Sequence, residues 1–242
     1  MKIGIIIQAR MGSARLPGKV LKDLAGAPLL SRLIERVRRV GDDIAIVVAT
    51  TTLPADDAIA GLATCEPGIA LWRGSEKDVL RRYADAARHF GLDAVIRLTA
   101  DNPLVDPRDI RAVLDCFLAR EDCDYADNLA SRRVPYGCGV QVVSRVCLER
   151  LDREVFDPAG REHVLLHIAE TPAAFCVAHA TDASCDAPDL RLTVDYPEDL
   201  QLMRAIYERL YPADPHFGLD DVLALRKREP DLFELNSMRK IH

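Results

Sequence analysis

Three cations follow the first apolar segment of the chain within ten residues of one another. Arg10, Arg15 and Lys19 lie in the stretch QARMGSARLPGKV, residues 8–20, together with Gly12 and Gly18. Guanidinium and ammonium groups on a glycine-containing loop suit an anion with several charges, because they donate charge-assisted hydrogen bonds to phosphate oxygens. The alternative interpretation is a solvated surface loop.

The spacing in this loop excludes two common phosphate-binding motifs. A Walker loop needs G-x-x-x-x-G-K followed by Ser or Thr, whereas here five residues separate Gly12 from Gly18 and Val20 follows Lys19. Pro17 also removes a backbone amide that such a loop uses as a donor. The dinucleotide-binding pattern G-x-G-x-x-G is absent from the chain.

Two aspartates follow apolar segments later in the chain. Asp101 comes after Ala94–Thr99, and Asp195 comes after Leu190–Val194. If these segments are strands, the carboxylates lie at strand ends, where a ligand-binding group is useful. A turn or a helix cap is the alternative role for an Asp before Asn-Pro or Tyr-Pro.

Short apolar runs alternate with amphipathic stretches along the chain, which predicts an α/β fold with a mostly parallel sheet. Ligands bind beyond the carboxyl ends of such strands, so we expect the loop at residues 8–20 and the segment Ala100–Pro103 to share one site. The predicted strands are Ile3–Ile7, Ile44–Thr50, Ile69–Trp72, Ala94–Thr99, Gly139–Val143, Ala174–Ala178 and Leu190–Val194. The predicted helices are Pro28–Val40, Asp56–Thr64, Glu76–Phe90, Pro107–Ala119, Arg161–Ala169, Glu198–Leu210 and Leu219–Arg228.

We expect residues 1–242 to form a single domain with a small inserted subregion at about residues 123–170. From Cys123 to Ser144 the sequence is rich in Gly, Pro and polar residues before it becomes strand-like. Such an insert commonly forms a lid on the acceptor side of a site or a small antiparallel extension.

Composition and charge exclude several classes of protein. A net charge of −6 argues against a general nucleic-acid binder. No apolar run approaches the ~20 residues that cross a bilayer, and the chain opens on a strand-like segment, so we expect a cytoplasmic protein. The seven cysteines, at positions 65, 116, 123, 138, 147, 176 and 185, include no C-x-x-C pair and are expected to be reduced structural thiols.

The pattern R-x-G-S-x-R-x-P-G-K at residues 10–19 resembles the N-terminal signature of the sugar-acid cytidylyltransferases, most closely the spore-coat polysaccharide type. Four further stretches occur in the same order as in that family: WRGSEKDVLRRYADAA, RLTADNPLVDP, REHV and LRLTVDYPEDL. The resemblance implies a Rossmann-like nucleotidyltransferase, a three-layer sandwich of the glycosyltransferase-A type. It implies transfer of CMP from CTP to an acidic acceptor, with release of pyrophosphate, and a homodimer. From the net charge and the lack of a long apolar run we expect no nucleic-acid or membrane partner.

The same resemblance implies roles for individual residues. Asp101 and Asp195 would hold Mg²⁺, and Arg15, Lys19 and Asp101 would be catalytic. Ser75 and Asp78 would touch the base or ribose, although Ser75 as a helix N-cap followed by first-turn acids is an equal alternative. The residues expected to bind CTP are Arg10, Met11, Gly12, Ser13, Arg15, Lys19, Ser75, Asp78, Thr99 and Ala100.

The acceptor is expected to contact the inserted subregion and the REHV stretch. His163 and His167 have the i, i+4 spacing of a metal helix, but the zinc-protease order H-E-x-x-H is absent, which favours a capping, packing or acceptor-side role. Arg132 and Arg161 are further acceptor-side candidates. The residues expected to bind the acceptor are Asn128, Arg133, Tyr136, Gln141, Glu162 and His163.

Three alternatives to a sugar-acid cytidylyltransferase remain open at this point. The acceptor could be a phosphonate or another small acid. The protein could instead be a transferase that uses a nucleotide-sugar donor, although a diphosphate needs fewer cations than this loop carries. A non-catalytic nucleotide-binding or partner-binding protein would keep the fold without turnover.

Overall fold

A seven-stranded, mostly parallel sheet forms the centre of the computed structural model, which describes residues 1–180 and 186–239. Its first strands are rich in Ile and Val, whose branched side chains pack well on a pleated surface. The described strands are β1 (Ile3–Gln8), β2 (Asp23–Leu24), β3 (Ala27–Pro28), β4 (Ala45–Thr51), β5 (Ile69–Gly74), β6 (Ala94–Thr99), β7 (Tyr125–Asp127), β8 (Gln141–Ser144) and β9 (Val177–His179). The sheet order is β5-β4-β1-β6-β8-β7-β9, and β2 and β3 form a separate hairpin.

Helices cover both faces of this sheet, as expected for a three-layer sandwich. The described helices are α1 (Leu29–Val37), α2 (Asp57–Cys65), α3 (Val79–His89), α4 (Pro107–Leu118), α5 (Arg145–Glu154), α6 (Pro158–Glu162), α7 (Leu166–Glu170), α8 (Pro197–Leu210) and α9 (Leu219–Arg228). Apolar residues of α1, α2 and α4 pack on one face, and those of α3, α5 and α7 pack on the other. The predicted mixed α/β fold is confirmed.

The inserted subregion extends the central sheet. Strand β8 runs antiparallel to β6, and β7 runs antiparallel to β8. The described part of the insert therefore includes an antiparallel extension, the second of the two forms expected from the sequence. The sequence analysis missed β7 and α5 within it, because a three-residue strand shows no periodicity and α5 follows β8 without a loop.

A third apolar core lies beside the sheet and supports the segment that carries Asp195. Leu192 and Val194 are fully buried there against α8 and α9. A 3₁₀ segment, Pro230–Asn236, adds Phe233 to this core. The end of the described chain therefore packs beneath a residue of the candidate site.

The predicted strand Leu190–Val194 is wrong as an element of the sheet. Within the described residues the segment forms one isolated bridge, between Arg191 and Tyr136, and no strand. Tyr136 N donates to Leu190 O at 2.9 Å, and Leu192 N donates to Tyr136 O at 2.7 Å. The alternating apolar residues face the third core rather than a neighbouring strand of the sheet.

The predicted helix Arg161–Ala169 is wrong as one continuous helix, because α6 ends at Glu162 and α7 begins at Leu166. Val164 adopts a positive φ of 42° between them, and its side chain is buried in the core beneath α3 and α5. His163 and His167 consequently lie on different elements, so the i, i+4 helical spacing does not describe them.

Smaller differences concern element ends and the cysteines. Helix α3 begins at Val79, three residues after the predicted start at Glu76, and the predicted strand Ala174–Ala178 is observed as Val177–His179. Six cysteines lie in the described residues without a disulfide, and burial raises the pKa of Cys147 to about 12. Cys185 lies outside the described residues. None of the described helices has the length and apolar character of a membrane span.

Gly137 is required where two backbone segments approach each other closely. Its φ is +101°, and an added Cβ would lie 2.6 Å from the backbone nitrogen of Thr193. A side chain at this position would therefore push residues 135–138 away from the segment that leads to Asp195.

We expect Gly137→Ala to lower the free energy of unfolding by ~2 kcal/mol or more, because it combines positive-φ strain with a backbone clash. Gly68→Ala is the matched control, since Gly68 has a φ of +74° with no atom within 4 Å of an added Cβ. Urea unfolding of both variants measures the difference. Equal destabilisation would show that the close approach contributes nothing.

Candidate active site

A cavity of about 1130 Å³ opens at the edge of the sheet where β1 and β6 end. Its wall includes Arg10, Arg15 and Lys19 of the loop at residues 8–20, and Asp101 and Asn102 from the segment after β6. The structure therefore brings together the two segments that the sequence analysis placed in one site.

The loop at residues 8–20 folds around the backbone of Met11. The carbonyl oxygen of Met11 accepts hydrogen bonds from Ser13 N at 2.8 Å and Gly18 N at 3.1 Å. Gly18 adopts a left-handed conformation with φ +66°, which a glycine tolerates without strain. This turn places Lys19 at the start of a short 3₁₀ segment, Lys19–Leu21, with its side chain directed into the cavity.

Asp56 anchors the same loop, and the sequence analysis missed it. Its carboxylate accepts a hydrogen bond from Met11 N at 2.6 Å and another from the hydroxyl of Thr51. Asp56 is buried, and it follows β4 at the same edge of the sheet. Like Asp101, Asp56 follows a strand, and this position in the sequence could have indicated that it lies near the site. Met11 itself does not line the cavity, and its side chain packs against the core.

The ammonium group of Lys19 lies between the two aspartates that the sequence analysis proposed as metal ligands. Lys19 Nζ donates to Asp101 Oδ2 at 2.7 Å and to Asp195 Oδ1 at 2.9 Å. Lys19 is only 8% exposed, and its contact with Asp195 is buried while its contact with Asp101 is partly buried. Thr99 Oγ1 donates to the other oxygen of Asp101 at 2.6 Å.

Asp195 is held by a buried ionic network that the sequence analysis did not predict. Arg191 donates to Asp195 Oδ2 at 2.8 Å and to Asp199 Oδ1 at 3.0 Å. Asp199 is fully buried and accepts hydrogen bonds from the backbone N–H groups of Asp195 and Tyr196. Asn236 Nδ2 donates to Asp199 at 2.8 Å.

The surrounding cations determine the protonation of Asp195. Burial acts to raise its pKa, but the hydrogen bond and positive charge of Lys19 outweigh burial, with further contributions from Arg15 and Arg191. The pKa of Asp195 is therefore held below its ordinary value. Asp195 is a carboxylate at neutral pH.

The remaining loop cations also have carboxylate partners. Arg15 Nη2 lies 2.8 Å from Asp195 Oδ1, with its guanidinium 5.0 Å from the ring centre of Tyr196. Arg10 Nη2 donates to Glu162 Oε1 at 3.1 Å. The predicted CTP-binding residues Gly12, Ser13, Thr99 and Ala100 line the same cavity.

The predicted acceptor residues divide into two groups. Tyr136, Gln141, Glu162 and His163 line the cavity, as does Arg132. Asn128 and Arg133 do not: Asn128 Oδ1 accepts from Val140 N at 2.8 Å, and Arg133 forms an exposed ion pair with Asp186 at 2.7 Å. Both side chains are used for local structure.

Ser75 and Asp78 lie outside the cavity wall, and their contacts fit the helix-cap alternative. The N-cap of α3 is Asp78 rather than Ser75, and its Oδ1 accepts from Arg81 N at 2.9 Å. Ser75 Oγ accepts from Asp78 N at 3.1 Å. Asp78 also forms an ion pair with Arg161 at 2.6 Å, which places Arg161 outside the cavity as well.

Two arginines that the sequence analysis did not single out line the cavity. Arg82 of α3 is only 1% exposed, and Arg97 of β6 is half-buried. Burial lowers the pKa of Arg82, with a further lowering from the charge of Arg10. Both arginines lie within motifs quoted above, but their helix and strand patterns gave no indication that they face a ligand site.

The donor set at Asp101 and Asp195 fits a hard divalent cation such as Mg²⁺. Their carboxylate oxygens already converge on one positive group, the ammonium of Lys19. No group of three or more His, Cys, Asp or Glu residues arranged for a metal occurs within residues 1–180 and 186–239. Mg²⁺ matches such a site because it takes few protein ligands and completes its shell with water and phosphate.

Comparison with known proteins gives consistent results. The family model described as Cytidylyltransferase matches residues 4–214. The spore coat polysaccharide biosynthesis protein SpsF of Bacillus subtilis is 34% identical, over 93% of this chain and 94% of its own length. A 3-deoxy-manno-octulosonate cytidylyltransferase of Anaeromyxobacter dehalogenans is 39% identical over 48% of each chain. The structure of a cytidylyltransferase from Leptospira borgpetersenii superposes with a TM-score of 0.91 at 30% identity, covering 100% of this chain and 99% of the other.

We expect Asp199→Asn to lower the free energy of unfolding by ~3 kcal/mol, because it leaves the buried guanidinium of Arg191 without full compensation. Asp186→Asn is the control, since it removes one carboxylate from an ion pair that is exposed to water and therefore contributes little to stability. Urea unfolding at pH 7 measures both. A loss below 1 kcal/mol in Asp199→Asn would contradict the structural role assigned to this network.

The lowered pKa of Asp195 predicts a pH-dependent contribution to stability. A carboxyl group with a depressed folded pKa stabilises the fold above its unfolded pKa of ~3.9, and that contribution is lost as the pH falls through the folded value. The stability difference between the wild type and Asp195→Asn should therefore be largest at pH 5–7 and shrink below about pH 4. Urea unfolding at pH 7, 5, 4 and 3 measures it. A difference that stays constant down to pH 3 would contradict the assignment.

Proposed function

This chain belongs to the cytidylyltransferase family, and we propose that it transfers CMP from CTP to a sugar acid and releases pyrophosphate. The observation that carries this proposal is the position of Lys19, whose ammonium joins Asp101 and Asp195 in the wall of a large cavity. The loop arginines and the segment after β6 line the same cavity.

The triphosphate of CTP would bind the loop at residues 8–20. A triphosphate carries about four negative charges, and Arg10, Arg15 and Lys19 supply three positive ones on one turn. Each of these cations is now paired with a carboxylate of the cavity wall. Phosphate oxygens can replace those carboxylates as partners. Each cation would therefore keep an anionic partner when CTP binds.

The reaction needs positioning and charge neutralisation more than a covalent intermediate. An acceptor oxygen forms a bond to the α-phosphorus, and the bond from that phosphorus to the bridging oxygen breaks. Its electron pair leaves with pyrophosphate, and the acceptor proton passes to a base or to water. Arg15 and Lys19 would stabilise the charge that develops on the phosphate oxygens.

A divalent metal, Mg²⁺ in our proposal, would be held by Asp101 and Asp195. When bound, such an ion neutralises phosphate charge and polarises the α-phosphate. Lys19 must release at least one carboxylate to make room, because a second cation beside its ammonium is repelled. The triphosphate offers Lys19 replacement anions, so we expect metal and CTP to bind together rather than separately.

An acidic acceptor is supported by the family resemblance and by the names of the relatives. The 3-deoxy-manno-octulosonate cytidylyltransferase and the spore coat polysaccharide protein both point to acidic or polysaccharide sugars. In this chain Tyr136, Gln141, Glu162 and His163 provide polar groups in the wall of the same cavity. These four side chains are the proposed acceptor contacts.

A pyrophosphate-release screen tests the proposal. The protein is incubated with Mg²⁺, each of the four nucleoside triphosphates, and a panel of sugar acids and phosphonates. We expect release with CTP only, dependent on a sugar acid and abolished by a chelator. Pyrophosphate release with a phosphonate but with no sugar acid would show that the acceptor is a phosphonate rather than a sugar acid. Absence of release with every pair would overturn the proposal, and transfer from a nucleotide-sugar would place the protein among glycosyltransferases.

Variants then test the assigned roles within the same assay. Asp101→Ala should lower kcat by ~1000-fold or more, because it removes half of the metal site, and circular dichroism should show a folded chain. Arg15→Ala and Lys19→Ala should raise the KM for CTP by ~10-fold or more. Arg111→Ala is the control, since its exposed guanidinium pairs with Asp115 on α4. Full activity in Asp101→Ala would contradict the metal assignment.

A further inference from the structure

Arg82 and Arg97 differ from the loop cations in having no carboxylate partner among residues 1–180 and 186–239. Arg10, Arg15 and Lys19 each form an ion pair at 3.1 Å or less. Arg97 donates instead to two amide oxygens, Gln141 Oε1 at 2.7 Å and Gln8 Oε1 at 3.5 Å. Arg82 donates to the backbone oxygen of Ser75.

Both guanidinium groups also keep an unused donor in a buried position. The Nε atoms of Arg82 and Arg97 are inaccessible and form no hydrogen bond within the described residues. Burying a charged group without an ion-pair partner in contact with it is costly, and this applies most to Arg82, which only the more distant carboxylates of Glu162 and Asp56 compensate. Because both residues line the cavity, a bound anion can supply a direct partner.

The neighbours of Arg97 hold it in place without neutralising it. Gln141 accepts from Arg97 through its oxygen, and its amide donates to Tyr125 OH at 2.8 Å. Tyr125 OH in turn donates to Asp127 Oδ2 at 2.8 Å. The nearest carboxylate in this chain of hydrogen bonds is therefore separated from Arg97 by two neutral side chains, and the positive charge of Arg97 remains available.

The position of Arg97 indicates which part of the reactants it meets. It lies on β6 opposite Gln141 of β8, and the loop that carries Arg10, Arg15 and Lys19 follows the other neighbour, β1. Gln141 is itself one of the proposed acceptor contacts, and Arg97 donates to it at 2.7 Å. An anion at Arg97 would thus lie beside a proposed acceptor contact.

We propose that Arg97 binds the anionic group of the acceptor, with Arg82 adding positive charge to the same pocket. This inference rests on the proposed function, and the anion is the carboxylate of a sugar acid or the phosphonate group of a small phosphonic acid. Arg97 would thus determine specificity for an anionic acceptor because the amides of Gln8 and Gln141 hold it without neutralising it. A carboxylate in their place would abolish the anion site.

Steady-state kinetics with matched acceptors test this inference. The acceptors are 3-deoxy-manno-octulosonate, its uncharged C1 carboxamide and a hydroxyalkylphosphonate. Arg97→Gln should raise the KM for the charged acceptor by ~10- to 100-fold, the range of a lost charge-assisted contact. The KM for CTP and the KM for the carboxamide should change less than ~3-fold, and Arg97→Lys should recover part of the affinity.

Gln141→Glu provides the sharper comparison because it places a carboxylate 2.7 Å from Arg97 with almost no change in shape. It should lower the affinity for the charged acceptor by ~10-fold or more, whereas the affinity for CTP, measured by calorimetry, should stay the same. Arg111→Gln serves as the control for removal of an arginine outside the cavity, and thermal unfolding of each variant verifies its fold. If the octulosonate loses affinity, the anion bound by Arg97 is a carboxylate. If the hydroxyalkylphosphonate loses affinity, the anion is a phosphonate.

Several outcomes would overturn the inference while leaving the proposed function intact. They are an equal loss for the acid and its carboxamide, a rise in the KM for CTP rather than for the acceptor, or an unchanged acceptor affinity in Gln141→Glu. If no acceptor is turned over, the proposed function fails, and calorimetry of the acids against the wild type and Arg97→Gln decides the anion site. Binding lost on substitution supports the site, and no acid binding to the wild type overturns it.

Discussion

Two carboxylates from distant parts of the chain share one buried ammonium group, and much of the fold serves to bring these three groups together. Asp101 follows β6, Asp195 precedes α8, and Lys19 lies on the loop after β1. Carboxylates this close repel each other unless a cation lies between them, and the repulsion is strong where water is excluded. The protein supplies that cation itself, and the same two carboxylates suit a divalent metal.

The segment that carries Asp195 is irregular, so its position depends on packing and on buried hydrogen bonds. Leu192 and Val194 fix one side of it in the third core, and Gly137 permits the close approach of residues 135–138 on the other. Asp199 then binds both the backbone at Asp195 and the guanidinium of Arg191. A proposed metal ligand on irregular backbone is thus fixed by packing and by buried hydrogen bonds.

The cations that line the cavity have two kinds of partner, carboxylates and amides. The loop cations are paired with carboxylates, so in the proposed reaction an incoming triphosphate would exchange one set of anionic partners for another. Arg97 is held by the amides of Gln8 and Gln141, so its charge has no partner among the described side chains to give up. A site arranged in this way can accept two anionic reactants without drawing both to the same cations.

From the sequence alone came most of the alternation of strands and helices up to α4, the cationic loop and the two aspartates, because periodicity and turn residues act locally. Tertiary structure decided whether Leu190–Val194 joins the sheet and whether residues 161–169 form one helix, since both depend on what the segments pack against. It also set Asp78 as the cap of α3, gave Asp56, Arg191 and Asp199 their contacts with the cationic loop and with Asp195, and placed Arg82 and Arg97 in the cavity wall. A hydrogen-bond partner or an uncompensated buried charge is a property of segments brought together in space, and Lys19 and Asp195 meet across 176 residues of sequence.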